Sequence, residues 1–172
     1  MKLLVVSDSH GERSILKKLH DRYVSEVDAM IHCGDSELHA VDPVLKGYTV
    51  VKGNCDVDNA FQEEVVQKVS GSTVFVAHGH LHQVNSSLLN LSYRAKENAA
   101  DFVFFGHTHL LGAEIIDGML YLNPGSISYP RGGNPRTYAI IEKTDIAITA
   151  YFYNEQYIEI ETLRQTFHFY QD

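Results

Sequence analysis

The chain has 172 residues, 44% hydrophobic and 21% charged, which suits a single domain (1–172) with a sizeable core. Its formal net charge of -8 argues against a general grip on a nucleic-acid backbone, which needs clustered Lys and Arg. Two cysteines exclude a disulfide-dense scaffold and read as reduced thiols. The N-terminal apolar run is too short for a secretory signal, and no stretch reaches the ~20 apolar residues of a membrane span, so the expected setting is cytoplasmic.

In chain order, residues 2–6 (KLLVV) are a short apolar run that predicts a buried strand opening into SDSHG. Ile15, Leu16, Leu19 and Val24 recur at helical spacing over 12–25, with Ser14 or its predecessors as the cap. VDAMIHC (27–33) is a second buried strand, followed by a short helix around 36–45; YTVVKG (48–53) is a third strand. FQEEVVQKV and STVFVAHGH form two strands about a turn at Ser70–Gly71. Residues 88–100 read as a helix and 101–109 as a buried strand. Asp117–Gly118 between apolar runs is a hairpin signal. The remainder, rich in Thr, Tyr and Ile, alternates like a meander that turns near 143–145 and 154–156. An α/β first part and an antiparallel second part pack most compactly as two sheets with helices outside.

The residues with chemistry all follow buried strands: D-S-H-G (8–11), G-D (34–35), G-N-C-D (53–56), H-G-H (78–80) and G-H-T-H (106–109). Open α/β sheets bind ligands at the carboxyl ends of their strands, so these five loops can meet at one site. Carboxylate, imidazole and amide oxygen together suit divalent Mn²⁺, Fe²⁺, Ni²⁺ or Zn²⁺, and ten histidines point the same way. Asp8 with His10, and His107 with His109, can reach one cleft from an extended loop. Asp35 can bridge two ions, which two-metal sites hold roughly 3.5–4 Å apart. Taken singly the residues have plainer readings. Asp8 and Asp35 could be helix caps, Asn54 a turn residue with Gly53 allowing the turn, and NPGS (123–126) a tight turn. Arg131 and Arg136 could be surface charges or reach a phosphate, and the tyrosines of 151–157 sheet surface or an oligomer contact. His80 could line the cleft; His82 reads as surface, and His32 as packed with one hydrogen-bond partner.

Five motifs in this order resemble the calcineurin-like metallophosphoesterase superfamily. The short length, the Cys in GNCD and the NPGS resemble its small bacterial and archaeal phosphodiesterase branch. The resemblance implies a four-layer α-β-β-α sandwich of two mixed sheets with flanking helices. It implies a binuclear site of two divalent ions, Mn²⁺ first and Ni²⁺, Fe²⁺, Zn²⁺ or Mg²⁺ as alternatives. Asp8, His10 and His109 would hold the first ion, Asn54, His78 and His107 the second, and Asp35 would bridge. The activity implied is hydrolysis of a phosphoester, foremost a small or nucleotide-like phosphodiester, by a metal-bridging hydroxide, with His10, Asp35, Asn54 and His80 as the catalytic set. Cys55, Asp56 and His80 would meet substrate. Many larger members have His in place of Cys55, backed by the following acidic residue, so Cys55→His is expected to broaden the substrate range. The superfamily also holds a retromer subunit that works through protein contacts, so the alternative is a scaffold on the same fold; its nucleases carry added DNA-binding segments. Neither a stable nucleic-acid complex nor a membrane partner is expected, and a homo-oligomer is open.

Overall fold

The computed structural model describes residues 1–169; the last three residues of the expected 1–172 span lie outside them. Eleven strands form two mixed sheets among the described residues. The first, in the order β11-β10-β9-β1-β2-β3, comprises β1 (Lys2–Val6), β2 (Ala29–His32), β3 (Tyr48–Val50), β9 (Thr137–Lys143), β10 (Ala147–Asn154) and β11 (Gln165–His168). The second, in the order β4-β5-β6-β8-β7, comprises β4 (Glu64–Val69), β5 (Ser72–Ala77), β6 (Phe102–Phe104), β7 (Gly112–Ile116) and β8 (Met119–Asn123). In the first sheet β1, β2 and β3 are parallel, and in the second β5, β6 and β8 are.

The unbroken apolar runs follow from burial on both faces. Side chains alternate along a strand, so Leu3 and Val5 meet Val74, Val76, Phe102 and Phe104 between the sheets. Leu4 and Val6 point outward to Ile15, Leu16, Leu19 and Tyr23 of helix α1 (Arg13–Tyr23). On the other side, Phe75, Ala77 and Val103 pack against Leu91 and Ala95 of helix α2 (Leu89–Glu97). The result is the expected α-β-β-α sandwich. The turns at Ser70–Gly71 and Asp117–Gly118 both have two successive residues of positive φ, the geometry of type I′ hairpins.

Two expectations are corrected and a third is refined. The helix around 36–45 shrinks to a 3-10 turn, Pro43–Leu45, capped by Asp42; the chain before it is held by side chains of the 53–58 loop instead. The N-cap of α1 is Glu12, among the residues just before Ser14 as expected, though it makes no side-chain cap bond. The strand expected over 101–109 ends at Phe104, because Phe105 and Gly106 turn to Leu122 and His78. No helix of the described residues is long and apolar enough to cross a membrane.

His32 closes β2 fully buried, and it has two partners rather than one. Gly34 donates its N–H to Nδ1 at 3.2 Å, and Nε2 stands 2.8 Å from Ser9 Oγ. Burial pushes its pKa down to about 4. A group neutral when folded and titrating near 6.5 when unfolded stabilises the fold fully above pH 6.5. That contribution is lost as pH falls from 6.5 toward 4. Urea unfolding should therefore show the wild type losing about 2 kcal/mol more than His32→Asn between pH 7 and pH 5.

Candidate metal centre

All five motif loops leave the carboxyl ends of parallel strands and converge. His78 Nε2 is approached by Asn54 Oδ1 at 3.2 Å, Asp35 Oδ2 at 3.3 Å and Asp8 Oδ1 at 3.9 Å. His109 Nε2 lies 3.2 Å from Asp8 Oδ1 and 3.5 Å from His10 Nε2. Donor atoms of Asp8, His10 and His109 lie within 4.8 Å of one another, as do those of Asp8, Asp35 and His78. Asp35 also groups with His10 and Cys55, so it shares neighbours with both expected ligand sets. Asp8 does so too, which the motif order did not indicate. His107 is adjacent, its ring centroid 5.2 Å from that of His78. Its Nε2 accepts an N–H from Asn85 Nδ2 at 2.8 Å.

The backbone delivers these groups at a cost. Asp8, His10, Asp35, His107 and His109 all have positive φ, between 43° and 66°. This left-handed region is uncommon for non-glycine residues and clusters at functional sites. Neighbouring loops hold it in place. Ser7 Oγ and the His107 N–H donate to Asp8 Oδ2 at 2.5 and 3.2 Å. Ser126 Oγ and Ser128 Oγ donate to the carbonyls of Asp8 and Ser9 at 2.9 and 2.7 Å. Asn123 Nδ2 donates to the Gly106 carbonyl and Thr108 Oγ1. NPGS is thus a brace between two ligand loops as well as a turn. Gly53 lacks the positive φ expected of a turn glycine; a Cβ there would stand 2.0 Å from Asp35 Oδ1. Gly106 faces the same limit against Ser7 Oγ.

Side-chain partners also choose the tautomers. The Nδ1–H of His10 donates to Glu37 Oε1 at 2.5 Å, that of His78 to the Cys33 carbonyl at 2.7 Å, and that of His109 to the Tyr129 carbonyl at 2.6 Å. Each ring then turns a basic Nε2 inward. Glu37 and Tyr129 were not legible beforehand, since no motif contains them.

This donor set fits divalent cations. Nε2 of His10 and of His109 face each other at 3.5 Å, and Asp8 Oδ1 is fully buried with no hydrogen-bond partner. Such an arrangement is unfavourable unless a cation or proton sits among the atoms. Ligands ~2.1 Å from one ion stand about 3–3.5 Å apart, close to the spacings here. Protons report the same field. His109 is raised by Asp8. Burial disfavours a charged His78, but Asp35 and Asp8 outweigh it and raise that ring. Burial likewise opposes ionised Asp35, yet His78 and the Cys55 N–H hold its carboxyl well below the usual range. Burial, then neighbouring His78, lowers His80 and His107.

His80 lines the cleft, its ring 5.4 Å from that of His78 and 6.2 Å from that of His107. His82 is corrected from surface to buried, with Nε2 3.0 Å from Glu64 Oε1. Arg136 lies 4.0 Å from Glu12, and the Arg131 N–H donates to the His109 carbonyl. Cys55 is exposed beside Asn54. Desolvation of its sulfur, then the Asp35 carboxylate, pushes the thiol up to about 12. Asp56, expected to meet substrate, has a further set of partners inside the protein. It is 5% exposed and accepts from the N–H groups of Asp35, Glu37 and Gly53 and from Ser36 Oγ. It therefore clamps the Asp35 loop.

Residues 1–145 match the calcineurin-like phosphoesterase superfamily domain. The chain belongs to that family. It is 45% identical over 164 residues to a Bacillus subtilis protein named as a probable metallophosphoesterase, YsnB, covering 95% of this chain and 97% of that one. It is 28% identical to the Escherichia coli phosphodiesterase YfcE, over 87% of this chain and 92% of YfcE. The crystal structure of a Streptococcus pneumoniae protein described as a predicted phosphoesterase superposes with a TM-score of 0.95 at 37% identity, covering 98% and 97% of the two chains. Zinc-bound Vps29 from Entamoeba histolytica shares the fold, with a TM-score of 0.69 at 21% identity over 98% of both chains.

The Asp56 clamp has a measurable consequence. Asp56→Ala leaves three N–H groups and a hydroxyl without their acceptor, each worth about 1–3 kcal/mol when buried. Urea unfolding should show a loss of at least about 3 kcal/mol, and calorimetric titration a weakened Mn²⁺ affinity.

Proposed function

We propose that this protein is a cytoplasmic, metal-dependent phosphodiesterase with a binuclear centre, acting on small diesters, with Mn²⁺ as its ion. The observation that carries the reading is the convergence of two inward Nε2 atoms on the unpartnered Asp8 Oδ1. Asp8, His10 and His109 would hold one ion, Asn54, His78 and His107 the other, with Asp35 between them. A divalent pair bound there supplies Lewis acidity toward a phosphoryl oxygen and lowers the pKa of water from 15.7 to on the order of 7.

The chain's own groups do the rest. Asp56 and the NPGS brace hold the ligand loops still, so the substrate meets a preorganised field. His80, a neutral imidazole in the cleft wall, is placed to hydrogen-bond a phosphoryl oxygen. His10, tied to Glu37 through Nδ1, keeps its Nε2 turned toward Asp8 and His109. Cys55 stands at the mouth as a neutral thiol and offers little proton transfer to a poor leaving group. The reading therefore favours activated diesters over monoesters. A scaffold role rests on likeness of fold to Vps29 alone.

In Mn²⁺, release of p-nitrophenolate from bis(p-nitrophenyl) phosphate should fall at least about a hundred-fold in Asp35→Asn and in His107→Ala. Full activity in both variants would sink the reading. Cys55→His should extend turnover toward p-nitrophenyl phosphate, and an unchanged ratio of monoester to diester rates would remove the role given to Cys55.

A further inference from the structure

One residue at the mouth has a hydrogen-bonded backbone and a side chain that engages little of the protein. The Tyr129 N–H donates to Ser126 Oγ at 2.7 Å, and its carbonyl accepts from His109 Nδ1 at 2.6 Å. Its backbone is thereby held by its own segment on one side and by the His109 loop on the other. Its side chain remains outside: the residue is 62% exposed. The phenol ring lies 5.2 Å from the His10 ring, centroid to centroid, at 56°. An exposed aromatic ring on an anchored backbone beside the candidate metal centre has surface to offer a second ring, and ring pairs interact at centroid separations of about 4.5–7 Å.

Apolar side chains also stand exposed on neighbouring motif loops. Leu81 follows His80 and is 61% exposed; Leu110 follows His109 and is 49% exposed. A Cβ at Gly132 would stand 2.9 Å from Leu110 Cδ2, so the 129–133 segment lies against Leu110. Leu110 thus adds apolar surface beside the Tyr129 segment, at a rim that also carries Glu37 on His10 and Arg131 near His109. A chain of net charge -8 repels polyanions, so a phosphodiester with a single negative charge suits it better than a polyphosphate or an oligonucleotide.

Resting on the phosphodiesterase reading above, we propose that Tyr129 is a specificity-determining residue. It stacks on a planar aromatic substituent of a small, singly charged phosphodiester whose phosphoryl group sits at the metal centre. Base–aromatic stacking contributes about 1–3 kcal/mol, and 1.4 kcal/mol is tenfold in affinity. The hydrogen bonds that anchor Tyr129 use its main chain, so replacing the ring leaves the bond to His109 in place.

The test titrates two ligand pairs into Mn²⁺-supplemented protein: phenylphosphonate against methylphosphonate, and adenosine 5′-monophosphate against ribose 5-phosphate. Wild type should bind the ring-bearing member of a pair more tightly. Tyr129→Ala should weaken that member about tenfold and leave its ringless partner unchanged, while Tyr129→Phe retains the preference. A ring preference in both pairs includes nucleobases in the substrate class, and one in the phosphonate pair alone restricts it to simple aryl esters. Equal weakening of both members, or no change in either, overturns the inference. If wild type still hydrolyses bis(p-nitrophenyl) phosphate in that case, the phosphodiesterase reading stands and only the stacking role falls. If wild type neither hydrolyses it nor binds either pair, both fall.

Discussion

Two carboxylates, Asp8 and Asp35, lie almost completely out of water within reach of one imidazole, that of His78. Burying negative charge is costly unless it is paired and hydrogen-bonded, and much of the surrounding structure supplies that compensation. Asp8 Oδ2 takes a hydroxyl and an amide hydrogen, and Asp35 Oδ1 takes the Cys55 N–H. What is left over, chiefly Asp8 Oδ1, faces the inward nitrogens of the histidines. The protein has satisfied its buried acids everywhere except on the side where a cation would stand.

That arrangement requires five loops to place their groups within a few ångströms, and the sandwich makes it possible. Parallel strands from both sheets end on one side, so loops far apart in sequence meet, as Gly106 does against Ser7. The price is local strain in the ligand-bearing residues, offset by Asp56, by Ser126 and Ser128, and by glycines where a side chain would collide. Stability and function are coupled here through the same hydrogen bonds. The clamp that shapes the Asp35 loop also sets where its carboxylate lies relative to His78.

Much of the fold was legible in the sequence. Unbroken apolar runs marked strands covered on both faces, helical spacing marked α1 and α2, and Asp-Gly marked a hairpin. The misread places are those where side chains replaced backbone periodicity. Residues 36–42 look helical in isolation, but Asp56 and Asp58 bind their N–H groups. The chain after Phe104 continues a hydrophobic pattern, but it must leave the sheet to bring His107 and His109 to the site.

The sequence by itself determined which residue types stand at the strand ends and in what order, because ligand chemistry demands particular donors and the strand pattern locates them. It also determined the family, since five motifs in order are too specific to arise from packing. Only the tertiary structure decided which nitrogen of each histidine faces inward, because Glu37 and the carbonyls of Cys33 and Tyr129 come from other loops. It decided that Asp56 points into the protein, where four donors surround it. It also decided that His82 is buried and that Tyr129 stands at the mouth. Each of these depends on long-range contacts, and local spacing holds no record of them.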